Sequence, residues 1–115
     1  MRRGEIRMAD LEPVRGAEAN KRRPCVIVSN DGANRVAERL GRGVVTVVPV
    51  TASVEHVYPF QVALLAGETG LPVDSKAQAE QVRSIAVERI GDAVGIVPTG
   101  QLTSLDEALR LHLGL

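Results

Sequence analysis

The chain has 115 residues, with 14 lysines and arginines, 14 aspartates and glutamates, and a formal net charge of zero. This length corresponds to one domain, residues 1–115, that can bury an ordinary core without disulfides or metals. A single cysteine, Cys25, excludes an internal disulfide and fits a small core residue. No apolar run reaches the roughly 18 residues of a membrane span, and no signal peptide is recognisable, so we expect a cytoplasmic protein without membrane association.

Net neutrality argues against a protein that simply coats nucleic acid, but the charge is unevenly distributed. Residues 1–42 carry ten Lys/Arg and six Asp/Glu, whereas residues 43–115 carry four and eight. A basic surface is therefore expected in the N-terminal part of the chain. Tyr58 and Phe60 are the only aromatic residues, too few for the stacking platforms of many single-strand binders. Binding to RNA would depend mainly on hydrogen bonds and charge.

The first part of the chain predicts two strands separated by a long loop. Gly4–Ala9 alternates weakly and is typical of a half-exposed strand. Residues 10–22 form a polar loop, and ordered loops of this length are more often functional than incidental. Cys25–Val28 is continuously apolar and predicts a strand buried on both faces. Residues 30–43 mix turn formers with one helical turn around Val36, Ala37 and Leu40.

The strongest strand signal is Val44–Val50, although Pro49 cannot donate to a ladder and predicts an edge or a bulge. Further strands are predicted at Phe60–Leu65, Ser84–Ile90 and Ala93–Val97. For the segment Ala77–Val82, the sequence pattern does not distinguish a helix from a strand.

The C-terminal segment predicts a helix. Ser104 and Glu107 form a capping-box pattern, with Ser104 as the N-cap. Leu105, Ala108, Leu109 and Leu113 then share one apolar face. Many short strands with Gly and Pro turns indicate a mainly β (α+β) domain, a barrel or sandwich with this terminal helix.

One arginine stands out because its backbone is constrained. Pro24 pushes Arg23 into extended conformation at the start of a buried strand, where a planar guanidinium can meet a phosphate. Thr51 stands at the end of the next predicted strand and could hydrogen-bond the same phosphate. The plain alternatives are a solvated or ion-paired surface arginine and a turn-forming threonine.

Other polar residues are weaker candidates for contact with RNA. Gln81 and Arg83 would share one face of a strand and could bind base edges or phosphates, or simply form a solvated face. Asn30 and Ser53 are further candidates, lying two and three residues beyond the ends of two predicted strands. His56 lies in a polar loop and His112 in the last turn of a helix, so an acid/base pair of histidines is not favoured. No ligand spacing supports a metal site, and no cofactor is expected.

These motifs together resemble the MazF/PemK-type toxins, the endoribonuclease half of type II toxin–antitoxin pairs. The matching segments occur in family order: Arg-Gly-Glu-Ile, Glu-Pro-Val-Arg-Gly-Ala-Glu, Arg-Arg-Pro-Cys-Val-Ile-Val-Ser-Asn-Asp, Val-Val-Pro-Val-Thr and Glu-Gln-Val-Arg-Ser-Ile. The resemblance implies an SH3-like β-barrel, a homodimer, and a mobile loop beside an RNA groove, here residues 13–22.

The resemblance also implies an activity and site residues. It implies metal-independent, sequence-specific cleavage of single-stranded RNA by 2′-hydroxyl attack, leaving a 2′,3′-cyclic phosphate and a 5′-hydroxyl. Arg23 and Thr51 fall on the catalytic positions, and Gln81 and Arg83 on substrate-contacting positions. A MazE-like antitoxin with an acidic tail would neutralise the toxin by lying in the RNA groove.

Two alternatives remain open. One is a CcdB-like toxin on the same barrel that poisons DNA gyrase without being an enzyme. Such poisons act through C-terminal residues, and the ending Leu-His-Leu-Gly-Leu has no bulky aromatic side chain to insert. The other is a barrel that retains only antitoxin binding.

Overall fold

The computed structural model describes residues 1–115 and contains seven strands and three α-helices. The strands are β1 (Glu5–Asp10), β2 (Arg22–Ile27), β3 (Val44–Thr51), β4 (Gln61–Leu64), β5 (Ser75–Gln78), β6 (Arg83–Ala86) and β7 (Ile90–Ile96). The helices are α1 (Asp31–Leu40), α2 (Ala66–Thr69) and α3 (Thr99–Leu113), with single 3-10 turns at Ala79–Gln81 and Val87–Arg89. None of the helices is both long and apolar enough to span a bilayer.

The strands form one antiparallel sheet in the order β4-β5-β3-β2-β1-β7, with β6 beside β3. The predicted mainly β fold with a C-terminal helix is confirmed. The hydrogen-bonded sheet does not close into a complete barrel, because β4 and β7 stay at its two ends.

Strand β3 lies inside the sheet, so of the two predicted settings for Pro49, an edge or a bulge, the edge is wrong. One side of β3 pairs with β2, and the other pairs first with β6 and then with β5. The β6 pairing ends at Val47 and the β5 pairing begins at Val50. Pro49 lies in the gap between these two partners, where the ladder on that side needs no donor.

Two apolar clusters pack on opposite sides of the sheet, as strand alternation requires. The first includes Leu105 and Ala108, which dock α3 on the sheet. The second includes Ala37 of α1 together with Leu11 and Ala19 from the long loop between β1 and β2. This loop, residues 11–21, therefore contributes to the core at both of its ends.

Helix α1 is longer than the single turn predicted from the sequence. Its N-cap is Asn30, whose side-chain oxygen accepts from the Ala33 N–H at 2.8 Å, and Gly41 ends it in the left-handed region. Only Asn34 and Ala37 are buried. Both capping residues are favourable and the apolar residues follow helical spacing, but most of the apolar face, including Val36 and Leu40, is exposed.

The predicted start of the last helix is wrong. Helix α3 begins at Thr99, and Ser104 lies inside it, donating its hydroxyl to the Gly100 carbonyl at 3.2 Å instead of capping. The apolar face is shorter than expected, because Leu113 is 55% exposed.

Residues 75–90 alternate short strands with 3-10 turns. The predicted strand Ser84–Ile90 is correct only in its first half, since Val87–Arg89 is a 3-10 turn. Gln81 also lies in a 3-10 turn while Arg83 begins β6, so the two residues do not share a strand face.

Candidate active site

The sheet register places Arg23 and Thr51 on one face of neighbouring strands. Cys25 of β2 is the partner of Pro49 on β3. Arg23 and Thr51 lie two residues beyond this pair, each still inside its strand, and residues two apart share a face. The two candidate catalytic residues therefore belong to the same side of the sheet.

Arg83 belongs to the same face. Its partner on β3 is Val47, which is also the partner of Ile27 on β2. Both Arg23 and Arg83 act electrostatically on the Cys25 thiol, which lies among these strands. Neither arginine forms an ion pair with a carboxylate. Two uncompensated guanidiniums near one sheet face attract anions.

Arg23 is held by a single residue of the long loop. Its Nε donates to the Asn20 carbonyl at 2.7 Å, and its Nη2 donates to the Asn20 side-chain oxygen at 3.1 Å. The side chain is half-buried. These contacts fix the plane of the guanidinium and leave Nη1 without a hydrogen bond inside the chain.

The loop that carries Asn20 is itself fixed by Gln81. The Gln81 Oε1 accepts from the Ala19 N–H at 2.9 Å, and its Nε2 donates to the Ala17 carbonyl at 3.0 Å. Arg83 Nη1 also donates to the Leu11 carbonyl, at 3.3 Å. The sequence-predicted RNA contacts Gln81 and Arg83 thus both bind the loop that positions Arg23.

Thr51 initiates a turn at the end of β3. Its Oγ1 accepts from the Ser53 N–H at 3.2 Å, which is the turn-forming role expected of a threonine without catalytic function. The hydroxyl proton remains available for another acceptor, so this contact is compatible with binding a phosphate oxygen. Ser53 is exposed and lies beside Thr51.

Lys76 is the register partner of Thr51 on β5. It is a buried residue whose Nζ donates to the His56 carbonyl at 2.5 Å and lies 5.6 Å from the centre of the Tyr58 ring. A third cationic side chain thus lies next to the candidate site. Nothing in the local sequence Ser75-Lys76-Ala77 distinguishes this lysine from an ordinary surface residue.

The loop after Thr51 contains three stacked rings, those of His56, Tyr58 and Phe60. Tyr58 stacks on Phe60 with ring centres 5.4 Å apart and an angle of 4° between planes, and His56 stacks on Tyr58 at 6.0 Å. His56 is therefore part of a ring stack, whereas His112 lies in the last turn of α3.

Asn30 does not join this group. It follows the C-terminal end of β2, whereas Arg23 lies at the N-terminal end, and four strand residues alone span about 13 Å. Its side chain caps α1. A contact between Asn30 and RNA stays a prediction that this geometry does not support.

Cys25 is a structural residue by its environment. It is fully buried, and burial raises the pKa of its thiol to about 12, with Arg23 and Arg83 acting in the opposite direction. The thiol is therefore neutral at physiological pH and a poor nucleophile. No three His, Cys, Asp or Glu side chains come together in a group that could hold a metal ion.

Sequence reasoning missed Asn20 and Lys76. Asn20 belongs to an irregular loop, and its contact with Arg23 depends on the loop folding back over β2. Lys76 reaches Thr51 only through the pairing of β5 with β3. Spacing along the chain carries no signal for either contact.

Comparison with known proteins gives a consistent result. Residues 2–113 match the family described as PemK-like, MazF-like toxin of type II toxin–antitoxin system. The chain is 64% identical to Endoribonuclease MazF9 of Mycobacterium tuberculosis, over 100% of this chain and 98% of that protein. It is 31% identical to Endoribonuclease EndoA of Bacillus subtilis, over 100% of this chain and 96% of that protein.

A comparison of structures finds the same fold in a further protein. A solved structure described as an endoribonuclease in complex with its cognate antitoxin, from a mycobacterial species, superposes with a TM-score of 0.77 at 24% identity, covering 100% of this chain and 96% of that one. Because the family match covers nearly the whole chain, the protein belongs to the PemK-like, MazF-like toxins of type II toxin–antitoxin systems.

Proposed function

We propose that this chain is an endoribonuclease toxin that cleaves single-stranded RNA at specific sequences without a metal ion. The observation that carries the proposal is the cluster of Arg23, Thr51 and Arg83 on one sheet face with no carboxylate paired to either arginine. The names of two relatives, Endoribonuclease MazF9 and Endoribonuclease EndoA, support the same activity.

The proposed chemistry uses the ribose of the substrate as nucleophile. The 2′-oxygen attacks the adjacent phosphorus, the bond to the 5′-oxygen breaks, and the products carry a 2′,3′-cyclic phosphate and a 5′-hydroxyl. The proton lost from the 2′-oxygen is balanced by the one gained by the leaving oxygen. The protein must stabilise the extra negative charge that forms on the phosphorane.

Arg23 supplies this stabilisation in our proposal. Its guanidinium is already oriented by Asn20, so little reorganisation is needed when charge develops. Thr51 would donate its hydroxyl to the scissile phosphate or to the attacking oxygen while its oxygen keeps the Ser53 N–H. Both groups act on the same phosphate because they share one face of the sheet.

Neighbouring side chains would hold the rest of the substrate. Arg83 and Lys76 provide positive charge along one edge of β3, beside Val47 and Thr51 respectively, and Ser53 is exposed beside Thr51. Gln81 acts mainly by fixing the loop through Ala17 and Ala19, and RNA contact would add to that role.

We infer two protein partners. The family description names a toxin–antitoxin system, so a cognate MazE-like antitoxin is expected to neutralise this chain, with an acidic segment lying over the arginines. A homodimer is expected as well, since a two-fold pair would combine two such faces into one groove.

The test is cleavage of single-stranded RNA by the purified protein in EDTA, with end analysis of the products. Arg23→Ala should lose about 2.7–4 kcal/mol of transition-state stabilisation, the cost of removing one preorganised donor. Arg110→Ala, an exposed arginine on α3, is the matched control and should cleave normally. Full activity of Arg23→Ala would refute the site assignment.

Two other outcomes would refute the activity itself. Inhibition of DNA gyrase in a supercoiling assay, with RNA left intact, would favour the gyrase-poison alternative. Binding of an antitoxin without any RNA cleavage would favour the alternative in which the barrel retains only antitoxin binding.

A further inference from the structure

Helix α1 leaves an apolar groove open on its outer side. The groove has a volume of about 560 Å³ between α1 and the start of β3, and is lined by Gly32, Ala33, Val36, Ala37, Leu40, Arg42, Gly43 and Val44. Val36, Leu40 and Val44 are 46%, 53% and 62% exposed. Three adjacent aliphatic side chains, two on α1 and one at the start of β3, are thus largely uncovered.

Arginines border this groove without internal partners. Arg42 lines the groove itself, Arg39 neighbours Val36 on the helix surface at a spacing of three, and Arg35 lies one turn before Arg39. None of the three forms an ion pair. The uncovered apolar groove therefore has a positively charged rim.

The acidic residues of α1 do not neutralise this rim. Glu38 pairs with the N-terminal ammonium at 2.8 Å, and this contact lowers the pKa of its carboxyl. Asp31 accepts from the Arg3 N–H at 2.7 Å. Both carboxylates are engaged elsewhere, which leaves the groove complementary to added negative charge.

We propose that the α1 groove binds an acidic amphipathic helix of a partner protein. Apolar side chains at every third or fourth position would fill the space over Val36, Leu40 and Val44, and carboxylates beside them would meet Arg39 and Arg42. This inference is independent of the proposed RNA cleavage, because none of these residues belongs to the candidate active site.

The observations disfavour two other occupants. A two-fold contact between the α1 grooves of two copies would bring the two sets of arginines together, and like charges in an interface are costly. RNA would have to place bases against an aliphatic wall that contains no aromatic ring. A helix that carries leucines and glutamates can cover the apolar wall with its leucines and pair its glutamates with the arginines of the rim.

The test uses two fluorescein-labelled peptides and the full chain. One is an amphipathic peptide with leucine at every third or fourth position and glutamate at the others, and the second has lysine in place of each glutamate. Fluorescence anisotropy should show saturable binding of the acidic peptide alone. Leu40→Gln and the double variant Arg39→Gln/Arg42→Gln should each weaken binding roughly tenfold.

Matched controls separate the groove from general surface effects. Leu65→Gln removes another half-exposed leucine, and Arg110→Gln removes another exposed arginine. Both should bind the acidic peptide as the wild type does. All variants should keep the wild-type circular dichroism and RNA cleavage, so failure of docking and failure of the nuclease proposal are distinguishable.

Four results would overturn the proposal. They are absence of saturable binding, equal binding of both peptides, unchanged affinity in Leu40→Gln, and equal weakening in the control variants. A self-association equilibrium, measured by sedimentation, that Leu40→Gln abolishes would assign the groove to a second copy instead. Loss of RNA binding in Arg39→Gln/Arg42→Gln would assign it to RNA.

Discussion

Arg23 is bound through two of its nitrogens to one residue, Asn20, by Nε to the backbone carbonyl at 2.7 Å and by Nη2 to the side-chain oxygen at 3.1 Å. A guanidinium held in this way is oriented before substrate arrives, which is the condition for efficient electrostatic stabilisation. The long loop therefore contributes to the candidate site by fixing its principal cation.

Replacing Asn20 tests this orientation. Asn20→Ala keeps the backbone acceptor but removes the side-chain acceptor, so we expect a loss of about 1–2 kcal/mol in kcat/KM for RNA cleavage. Asn20→Asp keeps the acceptor and adds a negative charge, and should mainly raise KM by repelling the phosphate. Steady-state cleavage of a short fluorogenic RNA measures both. Equal kinetics in all three proteins would show that the contact is unrelated to catalysis.

Thr51 can be tested by separating its hydroxyl from its shape. Thr51→Val should reduce kcat by roughly 10²-fold if the hydroxyl acts on the phosphate, whereas Thr51→Ser should retain most activity. A purely turn-forming hydroxyl would instead cost about 1 kcal/mol of unfolding free energy. Urea unfolding and cleavage assays on the same preparations separate the two roles. A folded Thr51→Val protein with wild-type kcat contradicts the catalytic assignment.

Gln81 should control the stability of the loop between β1 and β2. Gln81→Ala removes both side-chain contacts to Ala17 and Ala19, so trypsin should cut at Arg15 or Lys21 roughly 5- to 30-fold faster, corresponding to about 1–2 kcal/mol of local opening. Gln101→Ala, on α3, should leave the cutting rate unchanged. If the two variants are cut at the same rate, Gln81 does not anchor the loop.

The buried thiol predicts a specific pH dependence of stability. The pKa of Cys25 is raised by burial from 9.0 to about 12, so above pH 9 the unfolded chain loses a proton that the folded chain keeps. This contribution is fully present below pH 9 and is lost as the pH rises toward 12, by at most about 1.4 kcal/mol per pH unit.

Cys25→Val removes this proton linkage. The free energy of unfolding, from urea titrations at pH 8 and pH 10, should fall more steeply in the wild type than in the variant. The difference between the two slopes isolates Cys25 from the other groups that titrate in this range. Parallel slopes would mean that the thiol is less buried than described.

The full length of helix α1 was not predicted from the sequence pattern. Its N-cap Asn30 and terminal Gly41 are ordinary helix signals, yet only two of its ten residues are buried. Ala33, Val36, Ala37 and Leu40 follow helical spacing, but the turn-forming residues that precede and interrupt them obscure the start of the helix, so the prediction stopped at one turn. Ser104 shows the converse, because a good capping pattern lies inside a helix that packing extends back to Thr99.

The sequence by itself determined two strands, β2 and β3, and the backbone of one key residue, Arg23. Continuous β-branched runs specify β2 and β3, and proline constrains the backbone of Arg23 before any tertiary contact forms. The ordered motifs were also sufficient to indicate the family, which the match over residues 2–113 confirmed.

Only the tertiary structure decided which side chains meet. The register of β2, β3 and β6 puts Arg23, Thr51 and Arg83 on one face, and the pairing of β5 adds Lys76. Asn20 reaches Arg23 because the loop is anchored by Gln81, 61 residues further along the chain. Such contacts follow from strand pairing and loop closure between distant segments, which local propensity and spacing do not encode.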